Sequence, residues 1–130
     1  MSKDLIKSSF LQLTKQLNPN ILIQTKFKTI LSKNDLHLKD FNKIHIYGFG
    51  KAVYNMAVQT ELEILEMGFG DKIGKIEINI PESFEVTDQN ESTSSRIKYN
   101  KAAKNNLPDD ESYLATKSIV ESIKNNIGRF

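Results

Sequence analysis

The chain has 130 residues, and its 18 Lys plus Arg against 16 Asp plus Glu leave a formal charge of only +2, which argues against a dedicated nucleic-acid binder. It contains no cysteine, so disulfides, zinc–thiolate sites and thiol catalysis are excluded. At 38 % hydrophobic residues it can build a modest core, and no apolar run approaches the roughly 20 residues that cross a membrane.

The opening Met1-Ser2-Lys3-Asp4-Leu5 has an early acid and amphipathic spacing rather than a secretory signal's continuous apolar stretch, so a soluble, cytoplasmic protein is expected. Ile6, Phe10, Leu13 and Leu17 then fall at helical spacing. Asn18-Pro19-Asn20 interrupts that helix, and Pro19 suits the first position of a second, with Ile21, Leu22, Ile23 and Phe27 as its apolar members. The two are expected to form a helical hairpin over a larger body, with residues 1–42 as a helical lead-in.

The period then changes. Lys43 to Gly50 is rich in β-branched and aromatic residues and reads as a strand entering a glycine turn. Val53, Met56, Ala57, Thr60, Ile64 and Met67 follow at helical spacing, with Gly68 and Gly70 as the stop. A second strand runs from Ile73 to Ile80, placing Ile76, Ile78 and Ile80 on one side before Pro81. Residues 43–81 therefore read as the βαβ unit of a parallel sheet, and the fold class as α/β. Residues 82–95 are polar and read as a flexible surface insertion.

Over 96–130 a third strand is expected near Arg96 to Tyr99, then a polar turn and a last helix capped by Asp109. Asp110 and Glu111 in its first turn suit the helix dipole, and Tyr113, Thr116, Val120, Ile123 and Ile127 are its expected buried stripe. About three strands are too few for a covered parallel sheet, so the domain is expected to be unfinished at Phe130, with an uncovered sheet edge that invites self-association.

The segment best placed for chemistry is Gly48-Phe49-Gly50-Lys51-Ala52, at the carboxyl end of a strand and the start of a helix. Glycines let backbone approach a ligand, the helix start offers N–H groups to an anion, and Lys51 adds a full positive charge. Gly48, Gly50 and Lys51 thus suit a phosphate or a carboxylate. The spacing matches neither a P-loop nor a dinucleotide fingerprint, and a plain strand-to-helix turn with a solvated lysine would look the same. His37 reads as a surface or half-buried residue and His45 as a satisfied residue within the sheet. Asp109, Asp110 and Glu111 read as capping rather than a metal site. Ser94 and Ser95 lack a positioned base, and Lys98, Lys101 and Lys104 form a solvated cluster.

Three stretches together resemble the type II glycerate kinases, whose large N-terminal domain accompanies a smaller one called MOFRL. Phe10-Leu11 to Leu17-Asn18-Pro19 is similar to that family's first helix and its closing turn. Tyr47 to Val53, with Met56-Ala57 one turn later, looks like its glycine-lysine-alanine motif. Asn105-Asn106-Leu107-Pro108-Asp109 and a helix containing Ala115 look like its second signature. The resemblance spans the chain and implies a partial Rossmann-like sheet, with ATP- and Mg2+-dependent phosphorylation of D-glycerate. It places the catalytic lysine at Lys51. It also implies that a serine-glycine-rich phosphate loop, further strands and the second domain are lacking here, so the chain is expected to be an incomplete fragment, inactive alone. The alternative is a non-enzymatic anion-binding or regulatory module that pairs with another chain.

Overall fold

The computed structural model describes residues 3–86 and 96–126. Two helices open the chain, α1 (Lys3–Gln16) and α2 (Pro19–Lys33), followed by strand β1 (Ile44–Phe49), helix α3 (Val53–Glu66), strands β2 (Ile73–Pro81) and β3 (Ile97–Ala102), and helix α4 (Asp110–Asn126). The three strands form one parallel sheet in the order β1-β2-β3. This is the expected α/β fold with an N-terminal helical hairpin. No helix among the described residues is long and apolar enough to cross a membrane.

The hairpin is made as its sequence dictates. Pro19 stands at the start of α2, and the Asn18 side chain accepts a hydrogen bond from Asn20 N–H at 3.0 Å. Asn20 Nδ2 donates to the carbonyl of Asn55 at 3.4 Å, which ties α2 to α3. Ile21, Ile23, Phe27 and Leu31 are half-buried, whereas Leu22 is turned outward. The α1 stripe has a different fate: Ile6, Phe10, Leu13 and Leu17 are all exposed, Phe10 at 64 %.

The sheet has two unlike faces, because successive residues of a strand point to opposite sides. Ile76, Ile78 and Ile80 point toward α3 and are almost fully buried with Val53, Tyr54, Ala57, Val58 and Ile64. The α3 stripe is thus Val53-Tyr54-Ala57-Val58-Ile64 rather than one that includes Met56, which is exposed at 39 %. Tyr54 is 2 % exposed and lies beside Phe84 and Tyr99, with ring centroids at 5.6 and 6.1 Å. Phe84 and Val86, within the tract expected to be a polar insertion, pack against this core. Residues 87–95 of that tract, including Ser94 and Ser95, lie outside the described residues.

The opposite face carries Tyr47, Glu77 and Lys98 on one rung, and Phe49, Asn79 and Asn100 on the rung two residues along. Helix α4 covers it with small and polar side chains. Ala115, Ile119 and Ser122 are buried, Ser118 Oγ donates to Glu77 Oε1 at 2.9 Å, and Tyr47 and Ser122 share a 3.2 Å hydrogen bond. The expected stripe is therefore corrected: Tyr113 and Val120 are exposed at 68 % and 41 %, Thr116 is exposed, and Ile127 lies outside the described residues. Ile119 is fully buried and Ile123 half-buried, so the inward face of α4 mixes these two isoleucines with Ala115, Ser118 and Ser122, while Tyr113, Leu114 and Val120 turn to the far side.

Candidate functional site

The turn from β1 to α3 is shaped by two glycines with different reasons for being there. A β carbon on Gly48 would overlap Val53 Cγ2, so its lack of a side chain lets the strand end approach the helix start. Gly50 has open space around it but φ of +109°, a conformation that other residues adopt only under strain. Gly50 N–H donates to the carbonyl of Asn79 at 3.1 Å, which joins the turn to the end of β2. Ala52, at the N-cap of α3, supplies no side-chain hydrogen bond, so the amides of the first turn are left without a side-chain cap.

This turn forms one wall of a cleft of about 280 Å³ at the carboxyl ends of all three strands. Phe49, Gly50 and Lys51 come from the end of β1, Asn79, Ile80 and Pro81 from β2, and Ala102 and Ala103 from β3. Ser112 and Thr116 of α4 close the remaining side. Lys51 is exposed at the cleft, with Gly50 beside it, while Gly48 lies one rung back and governs how closely α3 approaches. Open α/β sheets bind ligands at this edge.

The wall nearest α4 is held by a reciprocal cap. Asp109 Oδ1 accepts from Ser112 N–H at 2.8 Å, and Ser112 Oγ accepts from Asp109 N–H at 2.8 Å. Asp109 Oδ2 also accepts from Lys104 N–H at 2.9 Å, drawing the preceding turn inward. Hydrogen bonds from the Ser112 and Lys104 amides hold the Asp109 carboxyl below its ordinary value. In that turn Ala103 and Asn105 both have positive φ, +66° and +56°. Asp109 therefore caps, as its position predicts, and Glu111 stands 3.8 Å from Lys104 Nζ.

Glu77 is the most enclosed charge on the α4 face, at 3 % exposure. Burial pushes its carboxyl up, but the Ser118 hydrogen bond and the Lys98 charge outweigh that and leave it lowered. Lys98 Nζ lies 3.4 Å away, and Asn100 Nδ2 reaches Glu77 Oε1 at 3.5 Å and Asn79 Oδ1 at 3.0 Å. Lys98 and Lys104 are thus engaged by acids instead of forming a free basic patch.

The histidines stand where the sequence places them. His37 pairs with Asp35 at 3.0 Å on the surface. His45 Nδ1 accepts from Lys75 N–H at 2.9 Å, and its ring occupies the space that a Gly74 side chain would need. Sequence reasoning singled out Gly48, Gly50 and Lys51 but passed over Asn79, Ser112 and Thr116. The alternation Ile76-Glu77-Ile78-Asn79-Ile80 was the available signal, since it sets two polar residues on the face opposite the isoleucines.

The family model described as a domain of unknown function (DUF4147) matches residues 5–128. The chain belongs to that family. The match takes in every described helix but the first two residues of α1, and the whole glycine-lysine turn. No curated protein and no solved structure matches the chain.

Proposed function

We propose that this DUF4147 chain is the N-terminal part of the large domain of a type II glycerate kinase, and that its cleft is the acceptor side of the active site. The observation that carries the reading is the glycine-lysine turn opening on a small cleft at the carboxyl ends of three parallel strands. DUF4147 domains stand at the N-terminus of glycerate kinase/MOFRL proteins, which agrees with the three stretches that resemble that family.

In this reading Lys51 holds the glycerate carboxylate or the phosphoryl group in transfer, and Gly48 and Gly50 keep the edge open. A positioned cation suits phosphoryl transfer, where charge spreads over the moving oxygens. The half-open cleft of about 280 Å³ has room for a three-carbon acid. The reaction calls for ATP and Mg2+. Among the described residues no group of three or more His, Asp or Glu converges as a metal site, and no carboxylate lines the cleft.

A second reading is a non-enzymatic anion-binding module that pairs with another chain. The exposed Ile6, Phe10, Leu13 and Leu17 favour it, since an apolar stripe of that kind often marks an interaction surface. One set of measurements separates the two: ADP release with D-glycerate, ATP and Mg2+, and D-glycerate binding followed by NMR. Both are run on the wild-type chain and on Lys51→Ala. The kinase-fragment reading expects D-glycerate binding that depends on Lys51, without ADP release by this chain alone. Lys51-dependent ADP release would make the chain a working kinase, and absence of D-glycerate binding would sink the glycerate reading.

A further inference from the structure

One polar side chain in the cleft is explained neither by the glycine turn nor by the helix cap. Asn79 lies on the α4 face of β2 and lines the cleft together with Lys51. Which end of an asparagine amide donates is fixed by its partners rather than by its shape. Here the partners form a chain with one possible direction. Glu77, when ionised, offers only acceptors, so Asn100 must turn its NH2 toward it, at 3.5 Å. The same nitrogen lies 3.0 Å from Asn79, which must therefore answer with Oδ1. Asn79 Nδ2 is left without a partner among the described residues. Lys98 Nζ at 3.4 Å and Ser118 Oγ at 2.9 Å favour the ionised form of Glu77 that starts the chain.

We propose that Asn79 is a specificity-determining residue of the cleft, donating through Nδ2 to the hydroxyl oxygen of a small hydroxy acid whose carboxylate is held by Lys51. Asn100 and Glu77 are its positioning residues. The proposal rests on reading the cleft as an acid site. A donor prepared in a partly apolar cleft is left unpaired by an acid that lacks the hydroxyl, and that loss is what discriminates. Ile80, Pro81 and Ala102 supply the apolar surface for the carbon skeleton.

The test is an NMR titration of the chain with D-glycerate and, separately, with propionate, a three-carbon acid without hydroxyls. The readout is the ratio of the two affinities. The wild-type chain is expected to prefer D-glycerate, and Lys51→Ala to weaken both acids. Asn79→Ala should weaken D-glycerate about five- to tenfold, the worth of one hydrogen bond, while leaving propionate unchanged. Asn79→Leu is close in volume and carries neither a donor nor an acceptor for the hydroxyl. It should abolish the preference even if the alanine variant folds poorly. Asn100→Ala should reduce the preference part-way, because it frees the amide to turn. An unaltered preference in both Asn79 variants overturns the proposal while leaving the acid-site reading intact. A wild-type chain that binds neither acid overturns that reading and this proposal with it.

Discussion

Gly48 and Val53 stand so close that a β carbon on the glycine would overlap a methyl of the valine. That approach sets the first turn of α3 against the end of β1 and so fixes one wall of the cleft. Gly48→Ala is expected to cost about 1–3 kcal/mol through overpacking. Gly50→Ala should cost about 1–2 kcal/mol for another reason, backbone strain at positive φ with no steric clash. Urea denaturation measures both. Adding Val53→Ala should recover much of the loss at Gly48 and none of it at Gly50, and an equal response would show that the two glycines do not differ as argued.

The helices differ in how much they hold the molecule together. Ile119 of α4 is fully buried whereas Phe10 of α1 is 64 % exposed. Ile119→Ala should cost about 2–5 kcal/mol. Phe10→Ala should fall within about 0.5 kcal/mol of wild type. A large loss on truncating Phe10 would mean that its helix is buried in solution, as in a dimer, and sedimentation of the same sample would detect it.

Asp109 ties α4 to the turn before it through hydrogen bonds that only its ionised form accepts fully. Its folded pKa is lowered, so its contribution is present above the ordinary value of 3.8 and is lost as pH falls through the folded value. Asp109→Asn should lower Tm at neutral pH, and the gap from wild type should close as pH drops below 3.8. A gap that stays constant with pH would point to shape rather than charge.

Glu77 follows the same sign for a buried group. Its lowered pKa means that stability is gained above 4.5 and lost as pH falls through the folded value. Ser118→Ala removes the nearest hydrogen bond and should cost about 1–3 kcal/mol at neutral pH, since a bond to a charged group is lost. In Glu77→Gln that serine should matter less and the acid limb of the Tm profile should flatten. A Ser118→Ala penalty unchanged by Glu77→Gln would place its origin in packing instead.

Much of the frame was legible from residue patterns. The β-branched run from Ile44 to Ile46, the glycines after it and the period of α3 gave the strand, turn and helix. Asn18-Pro19 and Asp109 marked helix starts because caps act locally, through side chains bonding amides two or three residues away. The errors fell on facing. Val120 and Tyr113 repeat at helical spacing like a core stripe, yet α4 meets Glu77, Asn79 and Asn100, so Ser118 and Ser122 turn inward.

What the sequence determined by itself was therefore the order of elements, the placing of Gly48, Gly50 and Lys51 at a strand-to-helix turn, and the caps, all of which rest on interactions between near neighbours. Only the tertiary structure decided that Asn79, Ser112 and Thr116 share a cleft with Lys51, and that the α1 stripe stays exposed. Residues distant in the chain become neighbours through strand register and helix docking. Those depend on the whole sheet, and no local period records them.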